Sequence, residues 1–165
     1  MGSLVLFVCT GNTCRSPMAE VLFRMALPRG SSWRAASAGL AACEGARASE
    51  PAIAALREAG GDLCAHRSRP VTAELVQASA AIVVMTGAHA LQIHARFPDA
   101  RDKLFLLRSF DPDSPAHSDV SDPFCGSLDE YRCCRDLIRR AMPGLVRFLT
   151  QPPPAMFSFK DKDTQ

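Results

Sequence analysis

Near the start of the chain lies the stretch Val8-Cys9-Thr10-Gly11-Asn12-Thr13-Cys14-Arg15-Ser16-Pro17. An apolar run, Leu4 to Val8, leads into it, and apolar residues at helical spacing follow from Met18 to Leu27. We therefore predict a turn from a buried strand into a helix. Ser16 and Pro17 suit the start of that helix, because serine is a preferred N-cap and proline is tolerated in the first turn.

The spacing of Cys9 and Arg15 favours an anion site. Five residues lie between them, mostly small or polar, and such a loop can turn its backbone N–H groups inward. The next helix adds its positive dipole end, and Arg15 can give an oxyanion two parallel hydrogen bonds. These groups favour the thiolate of Cys9, which would be an in-line nucleophile toward a bound phosphate. The predicted phosphate-binding residues are Thr10, Gly11, Asn12, Thr13, Cys14, Arg15 and Ser16.

Other interpretations of this stretch are weaker. The nucleotide-binding pattern G-x-x-x-x-G-K-[ST] does not occur in the sequence. Cys9 and Cys14 have a spacing that zinc tolerates, but no second pair follows at a matching distance. We therefore expect no metal and no cofactor. A cysteine buried only for packing is the simplest alternative for Cys9.

Length and composition are those of a single domain. The chain has 165 residues, of which 47% are hydrophobic and 22% charged, and its net charge is +2. So mild a charge does not favour nucleic acid as a partner, and no apolar stretch approaches the length of a membrane span. We predict one domain over residues 1–150 and a proline-rich tail over 151–165. The sequence does not indicate an oligomeric state.

Cysteine usage points to a reducing compartment. Seven cysteines, an odd number, occur in a sequence without a recognisable secretion signal. Free thiols are the simplest explanation, so we expect a cytoplasmic protein. Cys133 and Cys134 are adjacent on the last predicted helix and are interpreted as packing residues.

Strand and helix patterns alternate along the chain. Ala81 to Met85 is a short, continuous apolar run, which is typical of a strand covered on both faces. Ser127 and Glu130 form a capping-box pattern for the final helix. The alternation predicts an α/β fold with a parallel sheet, and such sheets bind ligands at the carboxyl ends of their strands. The Cys9 loop would follow the first strand at that end.

Pro143 interrupts the last helical pattern. It would remove one backbone hydrogen bond and clash with the carbonyl of Arg139. We expect a kink or an early end of this helix near Met142.

The run Cys9-Thr10-Gly11-Asn12-Thr13-Cys14-Arg15-Ser16-Pro17-Met18-Ala19-Glu20 resembles the signature of the low-molecular-weight protein-tyrosine-phosphatase family. That family includes bacterial protein-arginine phosphatases and thioredoxin-linked arsenate reductases. The resemblance implies a single doubly wound, flavodoxin-like domain with a four-stranded parallel sheet. It also implies a phosphatase that acts on phosphorylated proteins through a phosphocysteine at Cys9 and releases inorganic phosphate.

The resemblance also implies a general acid. Asp122-Pro123-Phe124 matches the D-P-aromatic motif that supplies the family's proton donor, and Phe124 would line the substrate cleft. Asp111-Pro112 is a second Asp-Pro in the same loop, but no aromatic residue follows it. The predicted catalytic residues are Cys9, Arg15 and Asp122.

Further residues correspond to a polar network that steadies the family's loop. By resemblance its members are Asn12, Ser16, Ser37 and His66. In the family the second loop cysteine, here Cys14, can pair with the nucleophile on oxidation. The remaining histidines have no companions that suggest a metal, and we interpret them as surface residues: His89, His94 and His117.

Two other functions compete with a phosphatase. Arsenate reduction uses the same loop but needs two more redox cysteines after the third strand, and no cysteine lies between Cys64 and Cys125. A non-catalytic phosphate-binding module conflicts with the intact Cys9, Arg15 and Asp122.

Thr13 bears on the choice of substrate. Phosphotyrosine enzymes of the family typically have Ile or Leu at this position, whereas the arginine-phosphatase branch resembles this sequence in having threonine. A hydroxyl suits a polar guanidinium, and a larger aliphatic side chain would crowd the phosphorus. We therefore favour phosphoarginine over phosphotyrosine. The alternative is that Thr13 is a neutral loop residue and that phosphotyrosine is accepted well.

Overall fold

A computed structural model describes residues 2–115 and 118–151. Four parallel strands form one sheet in the order β2-β1-β3-β4. The strands are β1 (Leu4–Cys9), β2 (Arg34–Gly39), β3 (Ala81–Val84) and β4 (Leu104–Leu106). In the register of the sheet, Val8 lies beside Ala38 on β2 and Val84 on β3. The predicted α/β fold with a four-stranded parallel sheet is confirmed.

Five α-helices connect and cover the strands in the described part of the chain. They are α1 (Arg15–Ala26), α2 (Glu50–Glu58), α3 (Ala73–Ala78), α4 (Gly87–Arg96) and α5 (Leu128–Thr150). Short 3₁₀ turns at Pro98–Lys103 and Leu107–Phe110 flank β4. The predicted capping box of the last helix is confirmed, since Ser127 and Glu130 cap each other's backbone N–H groups.

Helices lie on both faces of the sheet. Because successive side chains of a strand point to opposite faces, Val5 and Phe7 pack with α1, α2 and α5. Leu6 and Val8 pack with α3 and α4 on the other face. Burial on both faces fixes the central strand β1, and with it the position of the loop that begins at Cys9.

The last helix does not end near Met142. It continues through Pro143 to Thr150, so an early end there is a wrong prediction. Ile138, Met142 and Leu145 are fully buried against the core on either side of the proline. That packing outweighs the loss of one helical hydrogen bond.

The predicted tail, residues 151–165, lies outside the described residues except for Gln151. The boundary between domain and tail therefore stays a prediction. Within the described ranges, no helix is both long and apolar enough to cross a membrane.

Candidate active site

The loop after β1 curls back over the Cys9 sulfur. Asn12 has a φ of 56°, in the left-handed region that asparagine tolerates better than most residues. This conformation brings the Asn12 backbone N–H to 3.2 Å from Cys9 Sγ. Cys9 itself is buried at the end of the central strand. The loop thus directs a backbone donor at the thiol, as an anion nest requires.

Ser16 lies against the same sulfur. Its Oγ is 2.9 Å from Cys9 Sγ and accepts a 2.8 Å hydrogen bond from Asn12 Nδ2. Helix α1 begins at Arg15 with Cys14 as its N-cap, so the predicted N-cap role of Ser16 is wrong. The reason is geometric, since the Ser16 hydroxyl turns toward the thiol and the asparagine instead of toward the helix backbone.

Asn12 is held from the other side by the segment around His66. His66 Nε2 is 2.7 Å from the Asn12 carbonyl oxygen, and the Arg69 backbone N–H donates to Asn12 Oδ1 at 3.0 Å. Ser37 is placed differently, because its hydroxyl donates to Glu20 Oε2 of α1 at 2.6 Å. The structure therefore joins Asn12, Ser16 and His66 directly, whereas Ser37 bonds to the helix that follows the loop.

Arg15 and Asp122 meet across the cleft. One guanidinium nitrogen of Arg15 is 2.6 Å from Asp122 Oδ2, and the other donates to the Val120 carbonyl oxygen at 3.1 Å. The Arg15 side chain is 4% exposed and that of Asp122 is 45% exposed. The other Asp-Pro aspartate, Asp111, is buried beside Arg108 at 3.4 Å. Of the two aspartates, Asp122 is thus the one beside residues 9–15, which we call the anion loop.

The Cys14 side chain lies in a small polar cluster. Its Sγ is 3.3 Å from Ser49 Oγ and 3.4 Å from the Tyr131 hydroxyl. Burial raises the pKa of Tyr131 to about 12, so this hydroxyl stays protonated at neutral pH. Cys9 and Cys14 are both free thiols, and their pairing on oxidation stays a prediction.

The two neighbouring cysteines of α5 differ. Cys133 is exposed, whereas Cys134 is buried in the core, and burial raises the pKa of its thiol to about 12. A thiol in that environment is inert, which agrees with packing at Cys134.

His89 is not a surface residue, so that prediction is wrong. It is 4% exposed, and its Nε2 lies 2.9 Å from Thr10 Oγ1 in the anion loop. Thr86, the N-cap of α4, accepts from the His89 backbone N–H and thereby sets its position in the first helical turn. The signal in the sequence was a cap residue directly after β3, at the sheet edge where the Cys9 loop also lies. His94 is exposed as expected, and His117 lies outside the described residues.

No group of three or more metal-ligating side chains occurs within residues 2–115 and 118–151. The donors around the loop are backbone N–H groups, hydroxyls and one guanidinium, which suit an oxyanion better than a cation.

A buried thiol at the end of a parallel strand, under backbone and hydroxyl donors and beside an arginine–aspartate pair, defines a cysteine-dependent phosphatase. The family model described as low molecular weight phosphotyrosine protein phosphatase matches residues 4–153, and the chain belongs to that family. It is a phosphoprotein phosphatase.

Relatives of both specificities are similar to this chain. A protein-arginine-phosphatase of Bacillus subtilis is 40% identical over 146 residues, which are 88% of this chain and 95% of the relative. A low molecular weight protein-tyrosine phosphatase A of Mycobacterium tuberculosis is 38% identical, over 86% of this chain and 88% of its own length. The solved structure of an arginine phosphatase from Geobacillus stearothermophilus superposes with a TM-score of 0.81 at 38% identity, covering 90% of this chain and 93% of that one.

Proposed function

We propose that this phosphatase removes the phosphoryl group from phosphoarginine in proteins. The observation that carries the proposal is threonine at position 13, in the wall of the anion loop. Its Oγ1 lies 3.6 Å from Cys14 Sγ. A small polar side chain there leaves room beside the phosphorus and offers a hydroxyl to a guanidinium. The similarity to arginine phosphatases supports the same choice.

The rim of the cleft supports a polar substrate as well. Phe124 is 71% exposed and is the one exposed aromatic side chain in the described part of the chain. Cys125, next to it, supplies no second aromatic wall. At Gly126 a Cβ would lie 2.7 Å from Glu130 Oε2 and 2.8 Å from the Pro123 carbonyl oxygen, so a larger residue is excluded there. A phenol ring would therefore be flanked on one side only.

The reaction begins with attack of the Cys9 thiolate on phosphorus. The S–P bond forms as the P–N bond breaks, and protonated Asp122 gives its proton to the departing guanidine nitrogen. Phosphoryl oxygens replace the Asp122 carboxylate on Arg15, which frees that carboxyl group to face the leaving group. Water then attacks the phosphocysteine, Asp122 accepts the proton of that water, and inorganic phosphate leaves with the thiolate restored.

Side-by-side turnover of phosphoarginine and phosphotyrosine tests the substrate. The wild type should prefer phosphoarginine. Thr13→Ile should lose phosphoarginine turnover and keep or gain phosphotyrosine turnover, because an aliphatic group crowds the guanidinium and packs on a ring. Thr13→Ser is the matched control, since it keeps the hydroxyl and should keep the wild-type ratio. Failure of the wild type on phosphoarginine, or an unchanged ratio in Thr13→Ile, would assign the enzyme to phosphotyrosine.

The same assays address the competing functions. Turnover of p-nitrophenyl phosphate distinguishes an enzyme from a phosphate-binding module, and thioredoxin-coupled turnover of arsenate tests the reductase. A cytoplasmic location, with cytoplasmic phosphoproteins as substrates, fits the seven free thiols.

A further inference from the structure

A buried histidine lies under the anion loop, and the mechanism above does not use it. His89 occupies the first turn of α4, where its backbone N–H is capped by Thr86. Its Nε2 is 2.9 Å from the hydroxyl oxygen of Thr10, the residue directly after the nucleophile. Thr10 is exposed, so the histidine supports a loop residue that a substrate can reach.

The two ring nitrogens of His89 have unequal surroundings. Nδ1 is buried and has no hydrogen-bond partner among the described residues. A buried N–H without an acceptor has a free-energy cost, because it loses its hydrogen bond to water and gains none in the protein. A proton on Nδ1 would carry that cost, so the proton belongs on Nε2, which donates to Thr10 Oγ1. Because the Thr10 oxygen then accepts from the histidine, its own hydroxyl hydrogen is left for another acceptor.

The surroundings also keep this ring uncharged. Burial, and next the positive charge of Arg15, lower the pKa of His89 to about 4, while Asp122 and Asp119 oppose that shift. These are the charged groups that face the ring, Arg15 from α1 and the two aspartates from the loop before α5. A neutral ring at neutral pH leaves Arg15 as the cation beside the phosphoryl group.

We infer that His89 is a positioning residue of the phosphatase reaction, and that through its Nε2–H it orients the Thr10 hydroxyl as an additional donor to a phosphoryl oxygen of the substrate. The inference rests on the proposed function only in requiring a phosphoryl substrate at Cys9. It holds for phosphoarginine and phosphotyrosine alike. Thr10 is the residue that touches the substrate, and His89 acts through it.

Steady-state kinetics with p-nitrophenyl phosphate test the coupling of the two side chains. His89→Phe and Thr10→Val should each lower kcat about threefold to tenfold, the effect of one neutral hydrogen bond, with a smaller change in KM. His89→Gln should recover much of the loss, because its amide can reach Thr10 with an N–H. The double variant should be no slower than Thr10→Val alone. His94→Gln, at an exposed site on the same helix, is the matched control.

Nitrogen NMR of the imidazole ring gives a readout that a packing role would not move. We expect the wild type to show the neutral Nε2–H tautomer at pH 6, and Thr10→Val to show a different balance of the two neutral tautomers.

The native ring has a pKa of about 4 against 6.5 for an ordinary histidine, so the unfolded chain binds the extra proton between those values. Wild-type stability should therefore fall as the pH is lowered through that window, and His89→Gln should lack this part of the fall.

Two results would overturn the inference. One is an Nδ1–H tautomer in the wild type. The other is a loss in His89→Phe that is as large in the Thr10→Val background as in the wild type, which would mean that the ring acts on the fold alone. Failure of the proposed substrate is distinguishable from both, because it appears as absent phosphoarginine turnover in a wild type that still hydrolyses p-nitrophenyl phosphate.

Discussion

The two loops that form the candidate site are held in different ways. The anion loop, residues 9–15, has an internal centre, since Asn12 and the adjoining Ser16 bond to each other and to the Cys9 sulfur. Residues from other segments, among them His66 and His89, add hydrogen bonds around that centre. The acid loop, residues 118–126, is fastened to the segment between β3 and α4. Val120 N–H donates to the Met85 carbonyl oxygen at 2.8 Å, and Asp119 accepts from the first backbone N–H of α4 at 2.8 Å.

The difference fits the role proposed for each loop. A nest for an oxyanion must exist before the substrate binds, because its donors act only if they are already aligned. The proton donor proposed above must reach the leaving group and later meet water, and the half exposure of Asp122 fits that role. Arg15 is common to both loops, since it begins α1 and pairs with Asp122. Changes in the anion loop should therefore affect every substrate, and changes in the acid loop should depend on the leaving group.

The largest effect is expected for Cys9→Ser. A serine hydroxyl is a far weaker nucleophile, so turnover should fall on the order of 10⁴-fold or more with all substrates. Binding of inorganic phosphate, measured by calorimetry, should persist because the nest and Arg15 remain. Cys133→Ser makes the same change at an exposed site and is the control. Wild-type turnover in Cys9→Ser would contradict the mechanism.

Asp122→Asn should have a smaller and more selective effect. The amide cannot donate the proton that a poor leaving group needs, so hydrolysis of phenyl phosphate should fall about 10²- to 10⁴-fold. The loss should shrink for p-nitrophenyl phosphate, whose leaving group departs without help. Asp113→Asn, at an exposed site in the same connection, is the control. An unchanged rate on phenyl phosphate would mean that the acid lies elsewhere.

The same contrast explains what the sequence could reveal. The anion loop is local in the chain, so the spacing of Cys9 and Arg15 and the alternation of strands and helices were enough to predict it and the fold. The hydrogen bonds around the Cys9 sulfur join residues three to seven positions apart. A pattern of residues carries that information directly.

Contacts made across the fold could not be predicted in this way. The bond between Thr10 and His89 joins residues 79 positions apart, and the Arg15–Asp122 pair spans 107 positions. The cap residue after β3 indicates that His89 lies at the start of a helix, but only the packing of α4 on the sheet decides that its ring is buried. Pro143 was misleading for a related reason, because the packing of α5 on the core decides whether a helix tolerates the proline.

The smallest effect is expected at Asp119, which fastens the acid loop to α4. Asp119→Ala removes one acceptor at the Gly87 N–H, so phenyl phosphate hydrolysis should slow about threefold to tenfold, as for the loss of one hydrogen bond. Asp113→Ala in the same connection is the matched control.

The mechanism of this effect can be tested by a double variant. If Asp119 works only by holding Asp122 in place, adding Asp119→Ala to Asp122→Asn should cost nothing further, because no proton donor is left to misplace. For the same reason p-nitrophenyl phosphate should show little loss in Asp119→Ala. Full additivity of the two changes would instead mean that Asp119 supports the anion loop, since the helix it caps also carries His89 under Thr10. The acid loop would then be part of the support of the anion loop, and the two loops would not contribute to catalysis independently.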